Sequence, residues 1–270
     1  SSAASDVYKR QMIYIAAHKK FNVPQLDNYA VLQVGAQGKE NLGYLQDNTG
    51  DNISYKNPNF CELTGLYWIW KNCDDEYKGL VHYRRYFGKS NLSSKPEDIY
   101  TYQKMLQLLD GSDIVLPYVE CFKMNAREEI LSQCCTEEIY EQLEMVIDKL
   151  YPEYRADFDK FFAGNKAVLF NMIFCKAEVF DDYCQWLFDV LFELEKSVDL
   201  SVLNAYQQRL YGFLSERLLN VWIMHNKLNV VNTPVINVEM SGFNKVRLIR
   251  RRITNRIRSV SYTHLTLPTT

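Results

Sequence analysis

The sequence predicts a single α/β domain in which a mostly parallel central sheet is flanked by helices. Short apolar runs typical of buried strands alternate with longer amphipathic segments of helical period, an order typical of sheets with crossover helices. Apolar residues make up 47% of the chain and aromatic residues 14%, which is ample for a large core. No internal repeat or low-complexity linker interrupts the pattern, so we predict one domain.

The two ends of the chain do not share this pattern. Residues 1–11 and 259–270 resemble translated sequencing-adapter read-through, so we treat both as non-native and expect the native chain to start at or near Met12. Between them we expect a domain over residues 12–244 and a basic amphipathic tail over residues 245–258. Because no apolar run is long enough to span a membrane and no signal peptide is recognised, we predict a cytoplasmic protein.

Hydrophobic periodicity gives the individual elements. The predicted strands are Met12–Ala17, Ala30–Val34, Tyr77–Tyr83, Ile114–Leu116 and Ala167–Phe174. The predicted helices are Phe60–Lys71, Ile99–Leu109, Glu137–Leu150, Tyr154–Phe162, Ala177–Lys196 and Gly212–Asn226. For the first of these helices we expect Asn59 as the N-cap and Glu62 as its partner in a capping box.

Cysteine and charge distribution narrow the possible functions. The seven cysteines show no CxxC spacing, and the natural histidines are scattered, which favours reduced thiols over disulfides or a zinc site. Acidic residues outnumber basic ones by ten over residues 12–244, which argues against broad affinity for nucleic acid.

The tail has the opposite charge. Residues 245–258 contain seven basic residues and no acidic one, and Ile249, Ile253 and Ile257 are spaced four apart. The tail is either a solvated helix end or an interfacial helix that lies on an anionic membrane surface.

Strand ends supply the first candidate site residues. In open α/β sheets, ligands bind outside the carboxyl ends of the strands. His18 and Lys19 follow the first predicted strand, Arg84 and Arg85 follow the third, and Asn171 lies in the strand of residues 167–174. The planar guanidinium group of arginine matches phosphate geometry, although Arg84 and Arg85 could equally be surface cations that balance the acidic body.

Several segments carry a resemblance to a known family. They are DNTGDNIS (47–54), CELTGLYWIWKN (61–72), GLVHYRRYF (79–87), NMIF (171–174) and GFLSERL (212–218). The chain resembles the DUF4422 family of bacterial capsular and exopolysaccharide glycosyltransferases over nearly all of residues 12–244, most specifically in HYRRYF. The resemblance implies a GT-A-like fold that binds a nucleotide-sugar, with galactose-type donors favoured.

The expected binding residues fall into two groups. For the donor we predict His18, Lys19, Asp47, Asp51, Asn52, Tyr83, Arg84, Arg85 and Asn171. For the acceptor we predict Trp68 and Arg217, since Trp70 belongs to the core face of its helix and leaves Trp68 free to stack on a sugar or base.

Metal dependence stays open. GT-A enzymes usually hold Mn²⁺ or Mg²⁺ on an Asp-x-Asp motif at a strand end, but this chain has His82-Tyr83-Arg84-Arg85 there. Asp47 and Asp51 are weak candidates for metal ligands, because no acidic residue closes their loop in the manner of a calcium site.

Glu216 and His82 are the predicted catalytic residues. Glu216 could be the general base that deprotonates the acceptor, or a carboxylate that only complements the dipole of a helix that opens near Gly212. His82 could be catalytic or a hydrogen-bonded core histidine. We therefore expect a glycosyltransferase that moves a sugar onto a lipid-linked oligosaccharide at the inner membrane face, with a non-catalytic nucleotide- or glycan-binding protein as the alternative.

Overall fold

The computed structural model describes residues 11–240. Its strands are β1 (Gln11–Ala17), β2 (Tyr29–Gln33), β3 (Leu45–Gln46), β4 (Tyr77–His82), β5 (Arg85–Phe87), β6 (Ile114–Pro117), β7 (Glu120–Cys121), β8 (Lys166–Ala167), β9 (Ile173–Lys176), β10 (Val230–Thr233) and β11 (Val235–Asn237). Its α-helices are α1 (Asn57–Phe60), α2 (Leu63–Asn72), α3 (Tyr102–Leu109), α4 (Ala126–Gln133), α5 (Glu137–Leu150), α6 (Arg155–Ala163), α7 (Ala177–Glu195) and α8 (Leu210–Asn226). The predicted basic tail over 245–258 and the predicted non-native ends lie outside the described residues, apart from Gln11.

A nine-stranded sheet forms the centre of the molecule, and its main path runs β10-β6-β9-β4-β1-β2-β3. The neighbouring pairs β1–β2, β1–β4, β2–β3 and β6–β10 are parallel. Strand β9 is antiparallel to both of its neighbours, β4 and β6. The prediction of a mostly parallel sheet is therefore confirmed, and β9 brings its amino end to the edge where β4 and β6 end.

Side-chain alternation along the strands divides the core into two layers. In β1, Ile13 and Ile15 belong to one cluster of buried residues, whereas Tyr14 and Ala16 belong to the other. The larger cluster packs α1, α2 and α4 to α8 against the sheet, and the smaller one packs α3, β5 and β11 on the opposite face. The flanking layers expected from the sequence are present on both faces.

The predicted helix Phe60–Lys71 is wrong at its start. The structure has α1 and α2 instead, separated at Cys61, whose φ of 53° lies in the left-handed region. The side chain of Asn57 donates to the carbonyl of Cys61 at 2.7 Å and so helps to hold this break. The expected capping box of Asn59 and Glu62 does not form, because Glu62 lies just before α2.

Two further predictions need correction. The predicted strand Ala167–Phe174 is two short strands, β8 and β9, separated by a turn in which Phe170 has φ 83° and Asn171 has φ 50°. Helix α8 begins at Leu210, so Glu216 lies well inside the helix and cannot cap its dipole. The helix-dipole interpretation of Glu216 is therefore wrong.

Other elements agree closely with the sequence. Helix α5 has both predicted bounds, and α7 ends one residue before the predicted end. Helix α4 was not predicted, although Asn125 and Glu128 form a capping box at its start. Within residues 11–240, the helices are all too short or too polar to cross a membrane.

Candidate active site

A cavity of about 710 Å³ opens at the carboxyl ends of the parallel strands β1, β2 and β4. Ala16, Val34 and His82 mark these strand ends in its wall, and the amino-terminal parts of α1 and α8 contribute further side chains. Its volume falls within the roughly 300–1,000 Å³ that small-molecule and cofactor sites occupy. The cavity lies where the strand-end rule predicted a ligand.

The cavity brings together about half of the predicted site residues, namely His18, His82, Tyr83, Arg84, Arg85, Glu216 and Arg217. Its lining does not include Lys19, Asp47, Asp51, Asn52, Trp68 or Asn171. Residues that the sequence analysis missed are Asn57, Cys61, Gln133, Phe170, Arg209 and Phe213, together with Glu62, which was considered only as a helix cap.

Glu216 is the most chemically distinctive group in the cavity. Its side chain is 16% exposed, Oε1 accepts a hydrogen bond from the backbone N–H of Phe170 at 2.8 Å, and Oε2 accepts one from Arg217 at 2.8 Å. Burial raises the pKa of Glu216 to about 7, and nearby Glu62 adds to this, against the opposing effects of Arg217, the Phe170 N–H and Arg85. A carboxylate with such a pKa can accept a proton near neutral pH.

His82 lies at the end of β4, where its ring contacts the same turn as Glu216. Its Nε2 is 2.5 Å from the carbonyl oxygen of Phe170. Because a carbonyl oxygen only accepts hydrogen bonds, Nε2 carries the proton and donates it. Burial lowers the pKa of His82, which favours the neutral ring. The histidine thus holds the backbone of the turn, while its catalytic role remains a prediction.

The turn before β9 connects the two predicted catalytic residues. The Phe170 N–H is bonded to Glu216 and the Phe170 carbonyl to His82, although a φ of 83° is costly for a residue with a Cβ atom. Asn171 supports the turn because its amide group donates to Glu62 Oε1 at 2.8 Å and to the Gly212 carbonyl at 3.0 Å. Its Oδ1 accepts from the Ser215 hydroxyl. Asn171 therefore organises the wall of the cavity from outside its lining.

Close packing brings α8 to this wall. A Cβ atom on Gly212 would lie 3.1 Å from Sγ of Cys61 and 3.7 Å from the carbonyl of Phe60. A side chain here would press on the side chain of Cys61, the residue that follows α1. Gly212 thus allows α8 to approach Cys61 closely at this wall.

Three arginines give the cavity a positive lining. Arg84, Arg85 and Arg209 make no salt bridge to a carboxylate within residues 11–240. The guanidinium group of Arg85 lies 4.8 Å from the ring centre of Phe170, and Nε of Arg209 donates to Sγ of Cys61 at 3.3 Å. Guanidinium groups without a carboxylate partner are suited to a phosphate-bearing ligand.

His18 adds to this wall without adding a full charge. Its ring packs edge-on against Tyr83 at 5.2 Å between ring centres. Burial lowers the pKa of His18, and Lys19, Lys39, Arg84 and Arg209 lower it further.

Arg217 does not have the free guanidinium group that acceptor binding requires. The residue is 1% exposed, and its side chain is paired with Glu129 and Glu216. A buried arginine held by two carboxylates positions Glu216, and removing one partner would leave an uncompensated charge. The geometry therefore supports a positioning role for Arg217 and not contact with the acceptor.

Asp47 is buried beside the cavity, and its carboxylate is held by hydrogen bonds within the protein. The residue is 0% exposed, and its carboxylate accepts from the backbone N–H groups of Gly35 at 2.7 Å and Ala36 at 2.9 Å, and from the Ser54 hydroxyl. These three donors occupy the carboxylate from inside the protein. The geometry does not support binding of a donor or metal by Asp47.

The rest of the polar loop is also engaged internally. Asp51 accepts from the Tyr67 hydroxyl at 3.1 Å, and the Asn52 amide group donates to the Gly50 carbonyl at 3.0 Å. Nε1 of Trp68 donates to the carbonyl and the hydroxyl of Thr49, so the indole fastens this loop to α2. In the structure, the side chains of Asp51, Asn52 and Trp68 therefore hold the loop, although the sequence analysis predicted that they contact a ligand.

Lys19 lies outside the main cavity, in a neighbouring one of about 410 Å³. Its ammonium group is 3.6 Å from the carboxylate of Glu239 and 4.9 Å from the ring centre of Tyr83. Among residues 11–240, Tyr83 is the one residue that lines both cavities. Lys19 and the predicted phosphate-binding residues Arg84 and Arg85 therefore line different cavities.

The lining of the main cavity does not fit an Mn²⁺ or Mg²⁺ ion. Glu62 and Glu216 are its acidic residues, and both already accept hydrogen bonds, while Arg84 and Arg85 stand at the strand end where an Asp-x-Asp would lie. Nowhere in residues 11–240 do three or more His, Cys, Asp or Glu side chains group as a metal site would require. We derive no chemical step through a metal.

The fold and this cavity define a mixed α/β protein with a candidate ligand site at the strand ends. A family model described as a domain of unknown function, DUF4422, matches residues 12–227, and the chain therefore belongs to this family. A comparison with curated protein sequences finds no match.

The fold is similar to that of a solved structure, the apo form of WbbM, described as a bifunctional glycosyltransferase. The two share 29% sequence identity and superpose with a TM-score of 0.73. The similarity covers 85% of this chain but only 45% of WbbM, so the chain spans less than half the length of that protein. The predicted class, a mostly parallel sheet flanked by helices in a single domain, is confirmed by this match.

Proposed function

We propose that this chain is a glycosyltransferase that moves a sugar from a nucleotide-sugar donor to a hydroxyl group of an acceptor glycan. The observation that carries the proposal is the joint presence, in one cavity, of arginines without carboxylate partners and a carboxylate of raised pKa. Sugar transfer can use both groups, because a diphosphate departs with negative charge and a proton is removed from the acceptor. The similarity to part of a glycosyltransferase supports the same activity.

The chemistry divides between two walls of the cavity. Glu216, in its ionised form, accepts the proton of the acceptor hydroxyl, whose oxygen forms the new bond to the anomeric carbon. The bond from that carbon to the phosphate oxygen breaks, and the nucleoside diphosphate leaves with the electron pair. Arg84 and Arg85 stabilise the negative charge that develops on the diphosphate. Arg209 lies on the same cavity and supplies a third positive group.

The donor is best identified by a binding panel. Thermal denaturation with UDP, UDP-galactose, UDP-glucose and other nucleotide-sugars should show a ligand-dependent rise in melting temperature, since a ligand that binds only the folded state stabilises it. We propose a UDP-linked, galactose-type donor as the first to test, with and without added Mn²⁺ or Mg²⁺. Binding together with donor hydrolysis or transfer would support the proposal. Binding without any turnover would favour a non-catalytic nucleotide- or glycan-binding protein.

We further propose that the acceptor is a lipid-linked oligosaccharide in capsule or exopolysaccharide synthesis, reached at the cytoplasmic face of the membrane. The basis is the amphipathic basic tail over residues 245–258, together with the acidic body that precedes it. Truncation after Asn244 should abolish co-sedimentation with anionic liposomes and leave donor hydrolysis unchanged, and high salt should mimic the truncation. Equal co-sedimentation of the full and truncated chains would contradict membrane attachment by this segment.

A further inference from the structure

A second, smaller cavity of about 220 Å³ lies beside the candidate active site. Pro117 at the end of β6, together with Val235 and Asn237 of β11, forms part of its wall. Because β4 and β6 are both antiparallel to β9, they point the same way, and both cavities open at the same edge of the sheet. Arg85 and Phe170 line both cavities and so lie where the two cavities meet.

The lining of the small cavity differs in chemistry from that of the large one. It offers the aromatic residues Tyr118 and Phe170 and the polar residues Asn91, Asn237 and Glu120, together with the basic residue Arg85. Aromatic faces pack against apolar surface, and amide and carboxylate groups hydrogen-bond hydroxyl groups. A ligand with apolar C–H faces and a rim of hydroxyl groups, as in a pyranose ring, matches this combination better than a phosphate does.

Size and exposure point to the same ligand. The cavity is smaller than the roughly 300–1,000 Å³ of sites for drug-sized ligands, so it suits a single sugar unit and not a whole nucleotide-sugar. Tyr118, which lines the cavity, is 42% exposed. The cavity therefore borders solvent at Tyr118, which a longer glycan needs in order to continue outward.

We propose that this small cavity is the acceptor subsite and binds one pyranose unit of the acceptor glycan against Tyr118 and Phe170. The inference rests on the proposed transferase function and names the acceptor-binding surface of that same site. Phe170 links the subsite to the chemistry, because it lines both cavities and its N–H is bonded to Glu216. The proposal requires that a sugar held in the small cavity presents a hydroxyl group toward the large cavity, where Glu216 accepts its proton.

Saturation-transfer NMR with methyl glycosides of glucose, galactose and N-acetylglucosamine tests the subsite directly. At least one glycoside should bind the full chain, and its signal should persist when UDP occupies the large cavity. Tyr118→Ala and Asn91→Ala should each weaken this binding, by roughly 2- to 10-fold for the aromatic contact. Both variants should retain the rise in melting temperature caused by UDP. Tyr55→Ala is the matched control, because Tyr55 is 66% exposed and lines neither cavity.

The outcomes separate the subsite from the proposed function. The subsite is wrong if no glycoside binds up to its solubility, if UDP alone displaces the glycoside, or if both variants bind it as the wild type does. If the glycoside binds through Tyr118 but no nucleotide or nucleotide-sugar raises the melting temperature, the sugar site stands and the transferase proposal fails. If nucleotides bind and glycosides do not, the transferase proposal stands without this subsite.

Discussion

Asp47 and Glu216 both lie near the carboxyl ends of the parallel strands, and both accept hydrogen bonds from backbone N–H groups. Asp47 is fully buried and has three donors within the protein, two from Gly35 and Ala36 and one from Ser54. Glu216 has one backbone donor and one arginine, and part of its side chain remains exposed to a cavity. The difference indicates that a fully buried carboxylate held by three local donors fastens a loop, whereas a carboxylate with fewer donors and part of its surface on a cavity is the better candidate for proton exchange with a ligand.

The largest expected effect is on Glu216. Glu216→Gln should lower the rate of sugar transfer by roughly 10²–10⁴-fold, because the amide keeps the shape of the side chain and the acceptor for the Phe170 N–H but cannot accept the proton. The same change removes the acceptor of Arg217, whose charge then has Glu129 as its carboxylate partner. Nucleotide binding, measured by melting temperature, should remain. Glu62→Gln is the matched control, since its amide oxygen can still accept from Asn171. Comparable losses in both variants would mean that Glu216 has no special role.

The raised pKa of Glu216 adds a pH dependence to this test. Transfer should increase as pH rises through about 7, where the carboxylate form becomes dominant, and Glu216→Gln should lack this rise. Stability should change in the opposite direction. A folded-state pKa raised from 4.5 to about 7 favours the protonated form, so its stabilisation is present below pH 4.5 and is lost as pH rises through 7. Urea unfolding at pH 5 and pH 8 should show a loss on the order of 3 kcal/mol in the wild type that is absent from the variant.

The next effect concerns the arginines across the cavity. Arg84→Ala and Arg85→Ala should each lower kcat/KM for the nucleotide-sugar by roughly 10- to 100-fold, the loss expected for a hydrogen bond to a charged group. Arg155→Ala is the control, since Arg155 pairs with Glu144, Asp148 and Asp159 on the surface and does not line the cavity. If both cavity variants keep the kcat/KM of the wild type, the diphosphate does not bind between them.

For Asp47, the comparison predicts that substitution lowers the stability of the fold and leaves nucleotide binding intact. Asp47→Ala leaves the N–H groups of Gly35 and Ala36 and the Ser54 hydroxyl without their acceptor, which should cost about 2–4 kcal/mol in the free energy of unfolding. Asp47→Asn keeps one acceptor oxygen and should cost less. Urea unfolding measures both, and the UDP-dependent rise in melting temperature should persist. A stable Asp47→Ala variant that no longer binds nucleotide would contradict the structural role.

The parts of the fold that the sequence predicts well are those set by local periodicity. Helix α5 repeats its apolar residues at helical spacing, which gave both of its bounds. The turn at Phe170 and Asn171 was missed because the segment AVLFNMIF is apolar apart from Asn171 and has the pattern of a strand. The positive φ of Phe170 is supported by hydrogen bonds from His82 and to Glu216, which are distant in sequence.

The residues of the candidate site also divide into those that local sequence predicts and those that depend on tertiary packing. Strand ends and a specific motif predicted His18, Arg84 and Arg85, because β1 and β4 are parallel and their carboxyl ends meet at the same edge of the sheet. Arg209 and Phe213 were missed, because they reach the cavity only through the packing of α8 against α1. The sequence also could not distinguish the environments of Asp47 and Glu216, since the number of donors around a carboxylate is a property of tertiary structure.

The smallest expected effect is that of Trp68→Phe, which tests whether Trp68 holds the loop that contains Asp47 and Thr49. Trp68→Phe retains an aromatic ring against Tyr14 but removes the N–H that donates to Thr49, so it should cost about 1 kcal/mol in the free energy of unfolding. The KM for a glycan acceptor should not change, because Trp68 lines neither cavity. Tyr118→Ala provides the contrasting result, since it should raise that KM and leave stability near that of the wild type. If Trp68→Phe instead raises the KM for the acceptor and leaves urea unfolding unchanged, Trp68 contacts the acceptor as the sequence predicted. The loop would then be held by other contacts.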